Sequence, residues 1–420
     1  MLPVLSDFIR STNHQGFLSA LQKKTALLII QDLDGVCMEL KRDPLTRTMS
    51  KQYISAVKRM EAPFYVLTNG EHIGSRGVNR IVDAALADDA QSAEDQGLYL
   101  PGLAAGGVQW QDCFGKVSHP GVSQTEIDFL AAVPKWLHGR LQAALSAPPF
   151  LLEPAQLEQI LKVIILDNLA SPSLNIGSLF HPFSNQAGLY QSLQNLAYQL
   201  MQELMQMAQT QGLEGSFFTH LAPNLGTQDG LERLKPAHNE DMGTTDFQFM
   251  LRGAVKEAGV LVLLNRYYFQ QTGAYPLGED FSARTAPSSQ AEMLALAQAH
   301  FDPTIMPCIV GVGDTVTSAK AEDSQGYQRG GSDRGFLTLI QQLGAAFNTD
   351  NATIFVDSSQ GELNRPGISQ KPSPGEAVDH QVMAGITDAE DTLRLNLIFP
   401  EGHNQYIEFF TQLATVAPAQ

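Results

Sequence analysis

The sequence predicts an α/β fold: a Rossmann-like parallel-sheet core with an inserted α/β domain. Three observations carry this. Residues 26–31, Ala-Leu-Leu-Ile-Ile-Gln, run into Asp32-Leu33-Asp34-Gly35, the pattern of a strand buried on both faces of a parallel sheet. A second apolar run, Pro63-Phe64-Tyr65-Val66-Leu67, ends on Thr68-Asn69-Gly70, with a helical pattern between the two. Strand, helix, strand in that order is a βαβ unit with a right-handed crossover. Far along the chain, Pro307-Cys308-Ile309-Val310-Gly311-Val312 repeats the arrangement and ends on Gly313-Asp314.

The elements follow in order. Residues 1–24 read as an amphipathic helix whose Lys23-Lys24 end suits a helix C-terminus. The first strand covers 25–31. Buried strands carry no charge in their interior, so Asp32 and Asp34 stand just beyond the C-terminal edge, where open α/β sheets place ligands. Gly35 allows a sharp turn there. Ser50 opens a helix to Met60 as its N-cap. Residues 74–86 read as another helix, with Arg76 and Arg80 on a solvated face. Residues 97–117 form a hairpin pattern turning at Gly106-Gly107 and Gly115.

From about 120 to 235 the character changes. Helical windows at 125–145, 154–161 and 187–211 alternate with short β-rich pieces at 163–166 and 215–220. Helices at 244–259 and 291–300 precede the third apolar strand. A helix at 335–347, a strand at 352–356, a Ser/Gln/Gly/Pro-rich loop at 357–380, a strand at 395–400 and a helix at 406–415 close the chain. The domain division expected is 1–117 for the first part of the core, 118–235 for the insertion and 236–420 for the second part.

Composition bounds the function. Of 420 residues, 43% are hydrophobic and 17% charged, which are globular values. No uninterrupted apolar stretch is long enough for a membrane helix, and Asp7 and Arg10 break up the N-terminus, so no secretory signal is read there. Cys37, Cys113 and Cys308 are odd in number and widely spaced, forming neither a disulfide framework nor a zinc site; the compartment expected is a reducing cytoplasm. A net charge of −17 repels polyanions, so nucleic acid is not an expected partner. A small anionic substrate remains compatible, because a local site can be electropositive.

Two carboxylates at one sheet edge with no basic residue between them need a cation, and a hard divalent ion such as Mg²⁺ suits oxygen ligands. Asp-x-Asp-Gly alone is equally a plain turn. Recurrence of the pattern at Asp314, on a strand of the same kind, favours a metal site.

On these ordered motifs the chain resembles the haloacid-dehalogenase superfamily of phosphatases. The hairpin AAGGVQWQDCFGKV resembles the segment preceding the large α/β cap in sugar-phosphate and sucrose-phosphate phosphatases. More narrowly, the whole chain, including DTVTSAKAED after the third motif, resembles the glucosylglycerol-phosphate phosphatases of cyanobacteria. The resemblance implies Asp32 as nucleophile, Asp34 as general acid and then base, and Thr68 as a hydrogen-bonding partner of the phosphoryl group. It implies Mg²⁺ held by Asp32, Asp314 and the backbone carbonyl of Asp34. The implied substrate is glucosylglycerol 3-phosphate, with Asn69, Gly70 and Trp110 as substrate-binding residues; Trp110 either stacks on the sugar or packs within the hairpin. Sucrose or trehalose phosphate is the alternative substrate. A non-catalytic partner of the glycosyltransferase, glucosylglycerol-phosphate synthase, is the alternative role.

The family also needs a cation beside the nucleophile, often a lysine opening the helix before the third motif, yet no Lys lies between Lys256 and Lys320. Lys235 is the first candidate, sitting where the insertion returns to the core. Lys256 and Arg284 are alternatives, with Lys256 reading as a solvated residue late in a helix. Thr317 and Ser318 stand where a second acid is expected, and Glu322 and Asp323 either reach the metal or form a solvated face. His119, His181, His220 and His238 lack metal-ligand spacing, and Gly311-x-Gly313 lacks the rest of a dinucleotide fingerprint.

Overall fold

Short apolar runs without charge are most stable in the middle of a sheet covered on both faces, and the fold is built around three of them. The structure, a computed structural model, describes residues 4–184, 188–228, 231–239, 242–320, 326–370, 372–373 and 375–415. The chain divides into two compact units. One comprises Met1–His72, Arg76–Gly121 and Gly253–Gln420, and the other Ile73–Ser75 and Val122–Arg252.

The first unit holds strands β1 (Leu27–Gln31), β2 (Phe64–Leu67), β3 (Gly102–Ala104), β4 (Gln109–Gln111) and β5 (Val117–Ser118). The second holds β6 (Ile165–Leu166), β7 (Ser173–Asn175), β8 (Phe217–Ala222), β9 (Asn224–Gln228), β10 (Leu231–Leu234) and β11 (Asp246–Leu251). Strands β12 (Cys308–Gly313), β13 (Thr317–Lys320), β14 (Tyr327–Gly330), β15 (Ala352–Val356) and β16 (Leu397–Phe399) belong again to the first.

In the first unit an 8-stranded sheet runs β16-β15-β12-β1-β2-β3-β4-β5. The strands are parallel from β16 to β3, and β4 and β5 are antiparallel additions. Gln31 lies opposite both Val312 and Val66, so Asp32, Thr68 and Asp314 leave the sheet at one edge. Helices His14–Leu21, Lys51–Arg59, Val78–Ala85 and His403–Leu413 cover one face, bringing Phe17, Tyr53, Ile81 and Phe410 into one buried cluster with Ile29, Val66, Val310 and Ile354. Helices Lys256–Thr272, Gln290–His300 and Arg334–Phe347 also belong to this unit, and the first buries so many of its positions that its sequence shows little amphipathic stripe.

The second unit has an antiparallel sheet in the order β6-β7-β11-β8 with helices Gln124–Leu145, Pro154–Ile164 and Leu189–Thr210. Met201 and Leu204, on helix Leu189–Thr210, are buried.

Several sequence readings are corrected. Only His14–Leu21 of the N-terminal stretch is α-helical, because Asn13 caps it by accepting from Gly16 N (2.9 Å). Residues before it run alongside β16, with Arg10 N donating to Leu395 O (2.6 Å) and Ile398 N to Ser11 O (2.9 Å). The helix expected at 74–86 begins only at Val78. The expected helix at 244–259 is strand β11 followed by a new helix at Lys256: Phe247, Phe249 and Leu251 alternate into the core, and neighbours β7 and β8 supply the backbone partners. A hairpin of β13 and β14 stands between the third motif and the helix expected at 335–347, where no element was expected.

Candidate active site

Each site residue is delivered by a strand end. Asp32 follows β1 and donates its amide to Val312 O (2.9 Å), while its Oδ1 accepts from Leu33 N (2.8 Å). Thr68 follows β2, its amide donating to Leu103 O (3.0 Å) and its Oγ1 accepting from Gly70 N (3.2 Å). Asp314 follows β12; its Oδ1 accepts from Thr315 Oγ1 (2.8 Å), whereas its buried Oδ2 has no hydrogen-bond partner among the described residues. Gly35 has φ +79°, and a Cβ there would lie 2.2 Å from Asp314 Oδ2. The turn therefore admits only glycine if Asp32 and Asp314 are to approach.

Two residues complete the cluster. Lys256 opens helix Lys256–Thr272 and is 3% exposed. Its Nζ lies 2.9 Å from Asp32 Oδ2 and 2.7 Å from Asp333 Oδ1. Asp333, fully buried before helix Arg334–Phe347, accepts the amides of Asp314 and Thr315 on Oδ2, both at 2.9 Å. Carboxylate oxygens of Asp32, Asp314 and Asp333 lie within 4.8 Å of one another.

The electrostatics follow from burial. Desolvation pushes the Asp32 carboxyl up to about 7; Lys256 pulls it down, and Asp333 and Asp34 add repulsion. Asp314 is also raised well above the usual carboxylate range, by burial and then by repulsion from Asp333 and Asp32. Burial also raises Asp34, opposed by Arg47 and Lys256. For Asp333 burial is outweighed by Lys256 and the two backbone amides together, so it lies below the usual carboxylate range. Lys256 is held above its ordinary value: burial works against its charge, and the two carboxylates overcome that cost. The cluster sets three carboxyl groups around one lysine, and among the described residues nothing donates to the buried Asp314 Oδ2. A hard cation fits that donor set.

A sequence model described as glucosylglycerol-phosphate phosphatase matches residues 26–414. A protein from Synechocystis sp. carrying that same name is 51% identical over 409 residues, covering 96% of each chain. The chain belongs to the glucosylglycerol-phosphate phosphatase family. Similarity to solved structures is more distant. The C-terminal domain of C. albicans trehalose-6-phosphate phosphatase is 10% identical, covering 96% of this chain and 98% of that one, with a TM-score of 0.41. Trehalose-6-phosphate phosphatase of Aspergillus fumigatus is 9% identical, with the same coverages and a TM-score of 0.39.

In this family member Asp32, Asp34, Thr68, Gly70 and Asp314 come together at the sheet edge, with Asn69 exposed beside them. Lys235 lies in the second unit, where its amide donates to Thr244 Oγ1 (2.9 Å). The lysine paired with Asp32 is Lys256, and the reading of it as solvated and late in a helix is corrected: it is buried and first in its helix. Placing a helix over 244–259 hid a lysine that does open a helix ahead of the third motif. Arg284 lies in the loop after helix Lys256–Thr272, beside Gly121 and Gly253. Trp110 packs against Tyr65 (5.7 Å between ring centroids) and beneath the Arg266 guanidinium, 3.8 Å from the ring centroid. Arg80 does not face solvent freely; its Nη2 donates to Leu45 O (3.0 Å). Ser318 donates to Asp388, and Glu322 and Asp323 lie outside the described residues. Among the described residues no helix is long and apolar enough to cross a membrane.

Asp333 and Arg47 escaped sequence reading. Asp333 joins Asp32 and Asp314 in one carboxylate cluster, but the β13–β14 hairpin separates it from Asp314 in sequence. The one signal was the Gly-Gly-Ser-Asp turn before an apolar helix.

Proposed function

We propose that this chain is a Mg²⁺-dependent phosphomonoesterase that hydrolyses glucosylglycerol 3-phosphate to glucosylglycerol and phosphate. The observation that carries the chemistry is Asp32 paired with buried Lys256, beside Asp34, at the edge that also bears Thr68 and Asp314. The substrate rests on the name of the Synechocystis relative.

A carboxylate oxygen of Asp32 attacks phosphorus, the ester P–O bond breaks, and a proton on Asp34 passes to the departing glycoside oxygen. Asp34, now a carboxylate, takes a proton from the water that attacks the aspartyl-phosphate phosphorus; the bond to Asp32 breaks and phosphate leaves. Thr68 hydrogen-bonds the phosphoryl group. Lys256 holds Asp32 in place and offsets negative charge, and Asp333 fixes Lys256 and the backbone of the third motif. When bound, Mg²⁺ would be held by Asp32, Asp314 and the Asp34 carbonyl and would let an anionic nucleophile meet an anionic phosphoryl group. In this reading residues 118–235 act as the cap that selects the glycoside, with Asn69 and Gly70 contributing to substrate binding. The enzyme works in the cytoplasm, downstream of the glucosylglycerol-phosphate synthase.

Phosphate release from glucosylglycerol 3-phosphate, with and without Mg²⁺, tests this for wild type and Asp32→Asn. Mg²⁺-dependent turnover abolished in the variant is expected. Turnover of sucrose or trehalose phosphate alone would overturn the substrate, and an active Asn variant would overturn the mechanism.

A further inference from the structure

We propose that Arg47 is the positioning residue for Asp34, clamping one carboxylate oxygen so that the other faces the substrate; this rests on the reading of Asp34 as the proton-transfer group. Arg47 Nε lies 2.9 Å from Asp34 Oδ1, and the two side chains are 19% and 20% exposed. The approach is a charge contact rather than a hydrogen bond, since neither atom has a hydrogen-bond partner among the described residues. Asp34 Oδ2 points elsewhere: a Cβ built on Gly70 would lie 3.9 Å from it and 3.6 Å from Thr68 Oγ1. The guanidinium thus takes the oxygen away from the second motif and leaves free the one beside Thr68.

The segment that delivers Arg47 is anchored on both sides. Its 3₁₀ turn, Pro44–Thr46, is closed by Asp43, whose Oδ1 accepts from Leu45 N (2.9 Å). Arg80, on helix Val78–Ala85, donates from Nη2 to the carbonyl of Leu45 (3.0 Å). On the other side Glu362 accepts from Lys41 Nζ (3.0 Å) and Arg42 N (3.1 Å), and its amide donates to Leu40 O (2.9 Å). Arg47 is therefore presented by a braced loop, while Asp34 stands on a turn beside Gly35, its Oδ1 accepting no hydrogen bond from any described residue and meeting only the Arg47 charge. A carboxylate that rotates freely donates its proton in the right direction only part of the time; a planar guanidinium against one oxygen removes that freedom.

The test measures kcat and KM for glucosylglycerol 3-phosphate and the inhibition constant of orthovanadate, which probes the phosphoryl subsite without a leaving group. Arg47→Ala is expected to lower kcat roughly 10–100-fold, within the range of proton-transfer catalysis, while KM and vanadate inhibition stay within about threefold. Arg47→Lys recovers part of kcat. In an Asp34→Asn background Arg47→Ala costs nothing further, because effects that act through one group do not add. Vanadate inhibition weakening in step with kcat would overturn the proposal in favour of a direct phosphoryl contact. A full additional loss in the Asp34→Asn background, or an unchanged kcat, would also overturn it. If Arg47→Ala does not fold, Arg47→Gln carries the same expectations. An Asp34→Asn enzyme as active as wild type would refute instead the role given to Asp34.

Discussion

Lys256→Met removes the positive charge that bridges Asp32 and Asp333, and its consequence can be worked from the geometry. At 2.7–2.9 Å and an effective dielectric of about 20, each attraction is about 6 kcal/mol. Most of that offsets the cost of burying three charges, and breaking such a buried pair destabilises by about 3–5 kcal/mol net. The lower end applies here, because Asp32 already sits near a pKa of about 7 and takes up a proton once its counter-charge is gone. About 3 kcal/mol corresponds to a fall of roughly 6–10 °C in the thermal transition of the first unit. The assay is calorimetry in EDTA at pH 7.5, so that no bound metal replaces the lost charge. Activity with Mg²⁺ restored should fall roughly 10²–10³-fold. The double variant Lys256→Met, Asp333→Asn should regain at least half of the stability, since one stranded carboxylate has gone, and none of the activity. A single variant melting within about 1 °C of wild type and turning over within about threefold would refute the reasoning.

His72 is fully buried, with Nε2 bonded to Gly102 O (3.1 Å), and burial lowers its pKa from 6.5 to about 4. The unfolded chain binds the proton first, so stability is lost as pH falls from about 6.5 to about 4, by about 3 kcal/mol in all. Urea midpoints of His72→Gln should therefore drop less between pH 7 and pH 4.5 than those of wild type. Gly35→Ala forces a Cβ to within 2.2 Å of Asp314 Oδ2 at φ +79°; we expect a loss of about 1–3 kcal/mol, no detectable turnover, and no rise in melting temperature on adding Mg²⁺. The β13–β14 hairpin is tied by Arg329 to both oxygens of Asp388, at 2.9 and 2.8 Å. Arg329 is partly exposed, so the pair adds little to global stability, and Arg329→Ala should speed thermolysin cleavage in the hairpin with little change in the global transition.

What the sequence determined by itself was the sheet and its edge. The runs before Asp32, Thr68 and Asp314 are short, largely apolar and free of charge, and such runs favour a buried strand; parallel pairing then brings their C-terminal ends together. Ser50 as a helix cap and the glycine turns of 97–117 were legible for the same reason, since each depends on its own few residues. Tertiary structure decided the rest. Residues 246–251 alternate as a strand yet also fit a helical window, and only neighbours β7 and β8 settle the choice. Lys256, Asp333 and Arg47 have no local pattern that distinguishes them from surface charges. A periodic apolar stripe is written in adjacent residues. A buried charge is stable only where a counter-charge arrives from another part of the chain, and that meeting exists only once the fold has closed.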